Sequence, residues 1–136
     1  MSHIKVAVIQ DAPVAFDINA TMQKVRARAQ EAASQGAQLV VFPEAFLGGY
    51  PKGADFGARV GMRSSEGRAW FARYWHGAVE VPGPVTDSLG QIAAQNKLCI
   101  VMGAIERDGG TLYCSALYFA SDGRLLGKHR KTMPTA

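Results

Sequence analysis

Two short runs of β-branched and aliphatic residues bracket a single amphipathic helix in the first 43 positions. That arrangement limits the fold more than any other feature. "IKVAVIQ" (4–10) reads as a buried strand. Ile18, Met22, Val25, Ala29 and Ala32 then recur at steps of four, three, four and three, which puts them on one helical stripe. Asp17 can cap that helix and Gly36 can end it. "QLVVFP" (38–43) is a second strand stopped by Pro43. Strand, helix and strand with short connections predict a parallel βαβ unit with a right-handed crossover.

The remainder extends this unit into an α/β fold with a mixed sheet. Residues 44–65 read as a long irregular loop rich in glycine and aromatics. Over 66–79 the residues Trp70, Phe71, Tyr74, Trp75 and Ala78 recur at helical spacing, the pattern of a helix face in a core or an interface. "VPGP" breaks the chain, and 85–96 predicts a helix with Leu89, Ile92 and Ala93 on one face. "LCIVMGAIE" (98–106) is another buried strand, "RDGGT" a hairpin turn, "LYCSALYFA" (112–120) its return, and "LLGKHRK" a last strand after "SDGR". Buried parallel strands need cover on both faces. Either the helices divide between the faces, or a further sheet lies outside this sequence.

At 136 residues the chain fits one domain, and 19% charged residues against 48% hydrophobic ones exclude a disordered segment. The net charge of +4 comes largely from scattered arginines and only "KHRK" is concentrated, so charge selects no nucleic-acid partner. "MSHIKVAVIQ" lacks the features of a signal peptide, and no apolar run approaches the ~20 residues that span a bilayer. A cytoplasmic location is the expectation. Folding the hairpin at Gly109 brings Cys114 opposite roughly residue 104, too far from Cys99 for a disulfide, so both thiols are expected free.

The candidate chemistry lies at strand ends. Glu44 directly follows the second strand, where ligands gather in open α/β sheets. Burial among Phe42, Phe46 and Tyr50 would raise its pKa and suit it to general-base work. Strand alternation puts His129 and Lys131 on one face and Lys128 and Arg130 on the other. Lys131 could either discourage edge pairing or stabilise a developing negative charge. Cys99 and Cys114 lie within apolar strands and read as structural thiols. The chain has no G-x-G-x-x-G, no P-loop and no metal-ligand spacing among its three histidines.

Four segments, "VVFPEAFLGGYPKG", "VEVPGPVTDSLGQIA", "CIVMGAIERDGGTLYCSALYF" and "DGRLLGKHRKTMPT", closely resemble the nitrilase family of the carbon–nitrogen hydrolase superfamily. The "GGYPKG" loop and "GRAWFARYW" helix are similar to true nitrilases more than to the related amidases. The resemblance implies part of a four-layer αββα sandwich and a Glu-Lys-Cys triad. It assigns Glu44 as general base and Lys131, which closes the His-Arg-Lys motif, as the stabilising lysine. Tyr50 becomes a substrate-pocket residue.

Neither Cys99 nor Cys114 matches the family's nucleophile. In the family that cysteine lies further along the chain, after a second, supporting glutamate. Residues 1–136 are therefore expected to form the N-terminal part of one carbon–nitrogen hydrolase domain. The implied activity, in the intact enzyme, is cofactor-free hydrolysis of a small-molecule nitrile to a carboxylic acid and ammonia. This chain alone is expected to be inactive without a C-terminal segment. When intact, a homo-oligomer is implied, either a dimer or a larger spiral. The alternative is a non-catalytic assembly or regulatory module that joins full-length nitrilase subunits. Nucleic acid and membrane are not expected partners.

Overall fold

A computed structural model describes residues 3–51, 53, 55, 56 and 64–133. Eight elements follow in the order β1 (Val6–Val8), α1 (Ile18–Ser34), β2 (Leu39–Val41), α2 (Ser65–His76), α3 (Pro84–Asn96), β3 (Cys99–Asp108), β4 (Thr111–Phe119) and β5 (Leu125–Arg130). The strands form one sheet in sequence order, β1-β2-β3-β4-β5. β1, β2 and β3 run parallel, whereas β4 and β5 are antiparallel to their neighbours, so the sheet is mixed. The crossovers are α1 between β1 and β2, and the α2–α3 segment between β2 and β3.

Local chemistry sets the helix ends. The Asp17 carboxylate accepts from the Ala20 N–H at 2.9 Å and starts α1. Gly36, at φ +79°, follows its end, as its position in the sequence predicts. The Ser64 hydroxyl caps α2 by accepting from the Gly67 N–H at 2.9 Å. The Thr86 hydroxyl accepts from the Gly83 N–H at 2.8 Å at the start of α3.

α1 and α3 cover one face of the sheet. Val25, Ala29 and Ala32 from α1 meet Leu89, Ile92 and Ala93 from α3 over Val40, Ile100, Met102, Ala104, Leu117 and Phe119. The strand residues alternate, as a pleat with one covered face requires. Among the described residues, the opposite face is covered near Gly103, by the backbone of Pro43, Glu44 and Ala45, and near Ile105, where Tyr74 and Ala78 pack with Leu112 and Cys114. Elsewhere it carries Leu39, Val41, Cys99, Val101, Ala116 and Tyr118, half-buried or exposed.

Two expectations need correction. β1 is three residues long rather than a buried strand over 4–10, and Val8 is 76% exposed, because it is an edge strand whose outer face no described residue covers. The aromatic stripe, expected as a face in a core or an interface, joins a core only at its C-terminal end, where Tyr74 and Ala78 meet Ile105, while Trp70 and Phe71 are exposed. Trp70 instead meets Phe16, and Phe56 stacks on Tyr74, each pair with ring centroids 5.6 Å apart, while the Arg73 guanidinium lies over Phe16 and Trp70. The cysteine expectation holds: the β3–β4 register places Cys114 opposite Ile105, and both cysteines are free. Much of the expected 44–65 loop lies outside the described residues.

Candidate active site

Glu44 sits on an arch that interrupts the β2–β3 ladder. Before the arch, the Phe42 N–H donates to the Val101 carbonyl at 2.9 Å. After it, the Leu47 N–H donates to Gly103 O at 3.0 Å, and the Ile105 N–H donates back to Leu47 O at 2.7 Å. The four residues between, Pro43 to Phe46, leave the plane of the sheet and return. Ala45 takes a positive φ of 53° within the turn.

Gly103 makes this arch fit. A Cβ at that position would lie 2.1 Å from the Pro43 carbonyl oxygen, 2.7 Å from the Glu44 Cα and 2.8 Å from the Ala45 nitrogen. Only a residue without a side chain lets β3 pass directly beneath the Glu44 backbone. Sequence reasoning did not single out Gly103. The available signal was a glycine inside an otherwise unbroken apolar strand.

Lys131 arrives from the other end of the sheet. Its backbone N–H donates to Cys114 O at 2.8 Å, extending the β4–β5 ladder past Arg130. With His129 paired to Ala116 and Arg130 to Ser115, Lys131 emerges on the partly uncovered face, as strand alternation predicts. Its Nζ lies 3.1 Å from Glu44 Oε1, joining residues 87 positions apart. Both side chains remain substantially exposed, 36% for Lys131 and 57% for Glu44.

Cys114 completes the cluster. Its thiol interacts with the Glu44 carboxylate, and both line a cavity of about 410 Å³ together with Phe42, Val101, His129 and Lys131. Burial pushes the thiol's pKa up and the Glu44 charge pushes it further, with Lys131 opposing. Cys114 is thus more than the packing residue expected from the sequence. A raised pKa makes it a poor nucleophile at neutral pH.

Glu44 reverses the expected electrostatics. Desolvation was expected to raise its pKa. Instead the Lys131 ammonium, with the Cys114 thiol as a second hydrogen-bond partner, holds the carboxyl below its usual range. The arch lifts Glu44 above Phe42 and Phe46 toward solvent, so burial is the weaker effect. Tyr50 is 48% exposed and is not among the residues lining the cavity. Among the described residues, no group of three or more His, Cys, Asp or Glu side chains is placed to hold a metal ion.

A second charged cluster lies on the helix-covered face. Glu106 is completely buried, yet every oxygen is satisfied. It accepts from Ser115 Oγ at 2.7 Å, Arg130 Nε at 3.0 Å and Arg130 Nη2 at 2.6 Å, and also from Lys128 Nζ. Burial would raise this carboxyl, but Arg130, Lys128 and Ser115 outweigh it and bring it down to about 2. The sequence signal was its even position in β3, shared with the inward-facing Ile100, Met102 and Ala104.

The carbon–nitrogen hydrolase family model matches residues 5–136. An aliphatic nitrilase of Sinorhizobium fredii is 55% identical over 135 residues, covering 99% of this chain and 44% of that protein. A bifunctional nitrilase/nitrile hydratase of Lupinus angustifolius is 50% identical over 133 residues, covering 98% of this chain and 38% of that protein. The chain therefore spans less than half the length of these relatives. Among solved structures, an amidase from Nesterenkonia sp. has the same fold, with a TM-score of 0.71 at 22% identity over 99% of this chain and 45% of that one.

Proposed function

Because the chain belongs to the carbon–nitrogen hydrolase family, we propose that it supplies two of the three principal catalytic groups of a nitrilase-type site. Glu44 is the general base and Lys131 the cationic stabiliser. The observation that carries this reading is the 3.1 Å contact between them on an open cavity, beside a backbone arch shaped around Gly103.

The chemistry follows from the groups. A nitrile carbon is a weak electrophile and needs a thiolate. Glu44, ionised as an ordinary carboxylate and kept so by the Lys131 ammonium beside it, takes the proton of an incoming cysteine thiol. Lys131 then faces the negative charge that develops on nitrogen as sulfur adds to carbon. The adduct takes a proton to become a thioimidate; a first water adds to it, and loss of ammonia from that tetrahedral species leaves a thioester acyl-enzyme, which a second water hydrolyses. Glu44 activates water against it, and Lys131 meets the charge now growing on oxygen. Tyr50, which does not line this cavity, is assigned to the part of the substrate pocket completed by the additional sequence.

The nucleophile and the supporting second glutamate come from sequence beyond these 136 residues. The same additional sequence supplies a second sheet over the open face that exposes Val8 and Tyr118. Assembled in this way, the protein is a cytoplasmic homo-oligomer.

The test combines this chain with the C-terminal segment of a close relative and measures ammonia release from simple nitriles. Activity is expected from the combination and not from the chain alone. It should be lost in Glu44→Gln and in Lys131→Met, and kept in Cys114→Ala. Turnover by the chain alone that disappears in Cys114→Ala and survives Glu44→Ala would overturn the assignment.

A further inference from the structure

The buried cluster behind the sheet bears on the candidate site in front of it, through the register of β5. That strand has little hydrophobic information. Leu125 is half-buried against the core, Leu126 is exposed, and the next residues are Gly127, Lys128, His129 and Arg130. A bulge between Tyr118 and Phe119 separates the Leu125 pairing from the pairing of 127–130. Leu125 therefore cannot dictate the register of the segment that presents Lys131. A one-residue slip would send Arg130 to the open face and Lys131 to the helix-covered one.

What distinguishes the two registers is Glu106. In the observed register Lys128 and Arg130 both reach its buried carboxylate from the same side of β5. Arg130 is further held by Asp108 at 2.6 Å and lies over the Tyr113 ring with its guanidinium carbon 3.8 Å from the centroid. The slipped register exchanges Arg130 and Lys128 for Lys131 and His129 on that face, so Glu106 loses the two-nitrogen guanidinium grip, and the Asp108 pair and Tyr113 contact that hold the guanidinium are lost with it.

We propose that Glu106 is a positioning residue for Lys131. Its clamp on Lys128 and Arg130 fixes the β5 register and so delivers Lys131 to Glu44 through the thickness of the sheet. The inference deepens the site reading above and rests on Lys131 and Glu44 being its working pair. Neither readout below requires turnover, so its failure is separable from failure of the hydrolase assignment.

The experiment compares the chain with its Glu106→Gln variant by amide hydrogen exchange and by carbon-13 NMR titration of the Glu44 carboxyl, which faces Lys131, Cys114 and His129. The Lys131 amide, bonded to Cys114 O, is expected to exchange about tenfold or more faster relative to the Ile105 amide in β3. The Glu44 midpoint should rise, because its ammonium partner is no longer held in place. Lys131→Met should raise it similarly, and the double variant should add nothing. Arg130→Lys, which keeps the charge and loses the two-point grip, is the milder second variant and should move both readouts the same way by less. Uniform acceleration of all amides with the Glu44 midpoint unchanged, in either variant, would reduce Glu106 to a stability residue and overturn the proposal.

Discussion

Gly103→Ala tests whether close backbone packing holds Glu44 in place. The added methyl carbon would sit 2.1 Å from the Pro43 oxygen and under 3 Å from two further backbone atoms. Ordinary contact requires the arch or β3 to move by at least about 1 Å. Neither is a flexible side chain. The arch is pinned on both sides by the ladder bonds of Phe42, Leu47 and Ile105, so the strain falls on hydrogen-bonded backbone. Overpacking of this kind costs about 1–3 kcal/mol, and the upper end applies because no rotamer change relieves it. The smaller unfolded-state entropy of alanine returns only about 0.4–1 kcal/mol. A net loss of about 2 kcal/mol is expected, a fall of roughly 5–10 °C in Tm for a chain of this size.

Urea denaturation measures that loss, and titration of the Glu44 carboxyl reports the geometry. Displacing the arch by about 1 Å stretches the Glu44–Lys131 contact, so the Glu44 midpoint should rise toward the usual carboxylate range. In a complemented enzyme the same displacement should lower kcat by about 100-fold. Gly127→Ala is the control, since a Cβ there meets nothing within 4 Å. Equal stability of the two variants, with an unmoved Glu44 midpoint in Gly103→Ala, would refute the packing argument.

Two further outcomes follow from the same side chains. The Glu106 carboxyl is held near 2 against an ordinary 4.5, so its stabilisation is fully present above about pH 4.5 and is lost as the pH falls toward 2. The stability difference between the chain and Glu106→Gln should therefore shrink by about 3 kcal/mol over that window, read by urea denaturation at each pH; a constant difference would contradict the buried ion cluster. At Cys114, alkylation followed by peptide mass spectrometry at pH 8 should be slower than for an exposed thiol. It should speed up in Glu44→Gln and slow further in Lys131→Met, because Glu44 raises that pKa and Lys131 lowers it; the opposite order would place the thiol away from the pair.

Much of this arrangement was legible in the residues. Alternation along "KHRK" divides Lys131 from Arg130 with no structural input, and the apolar period of Leu89, Ile92 and Ala93 predicts the buried face of α3. The position of Glu44 after a strand end was also readable. What escaped depends on approach between segments distant in sequence. The Glu44 pKa follows from Lys131, 87 residues away, which no local pattern around Glu44 encodes. Gly103 matters because Pro43 passes over it, and Cys114 because Lys131 pairs beside it. The aromatic stripe of α2 misled for a related reason. Periodicity specifies a face but not its partner: Trp70 meets Phe16 and Tyr74 stacks on Phe56, and only the end of the stripe reaches the sheet.

The two ion clusters carried by β5 differ in the way their roles require. Glu106 is buried and accepts from Ser115, Lys128 and Arg130, so any single departure leaves charge in a dry interior and the cluster resists rearrangement. Glu44 and Lys131 share one contact at 3.1 Å with both side chains wet, and such exposed pairs hold with only about 0–1 kcal/mol. Under the proposed function a strong pair there would oppose catalysis, because Lys131 would have to turn from the carboxylate toward charge developing on substrate. On the proposed roles, the same strand would use a costly cluster to set position and a weak one to remain available. Strengthening the front pair by burying it should slow hydrolysis, whereas strengthening the rear cluster should not.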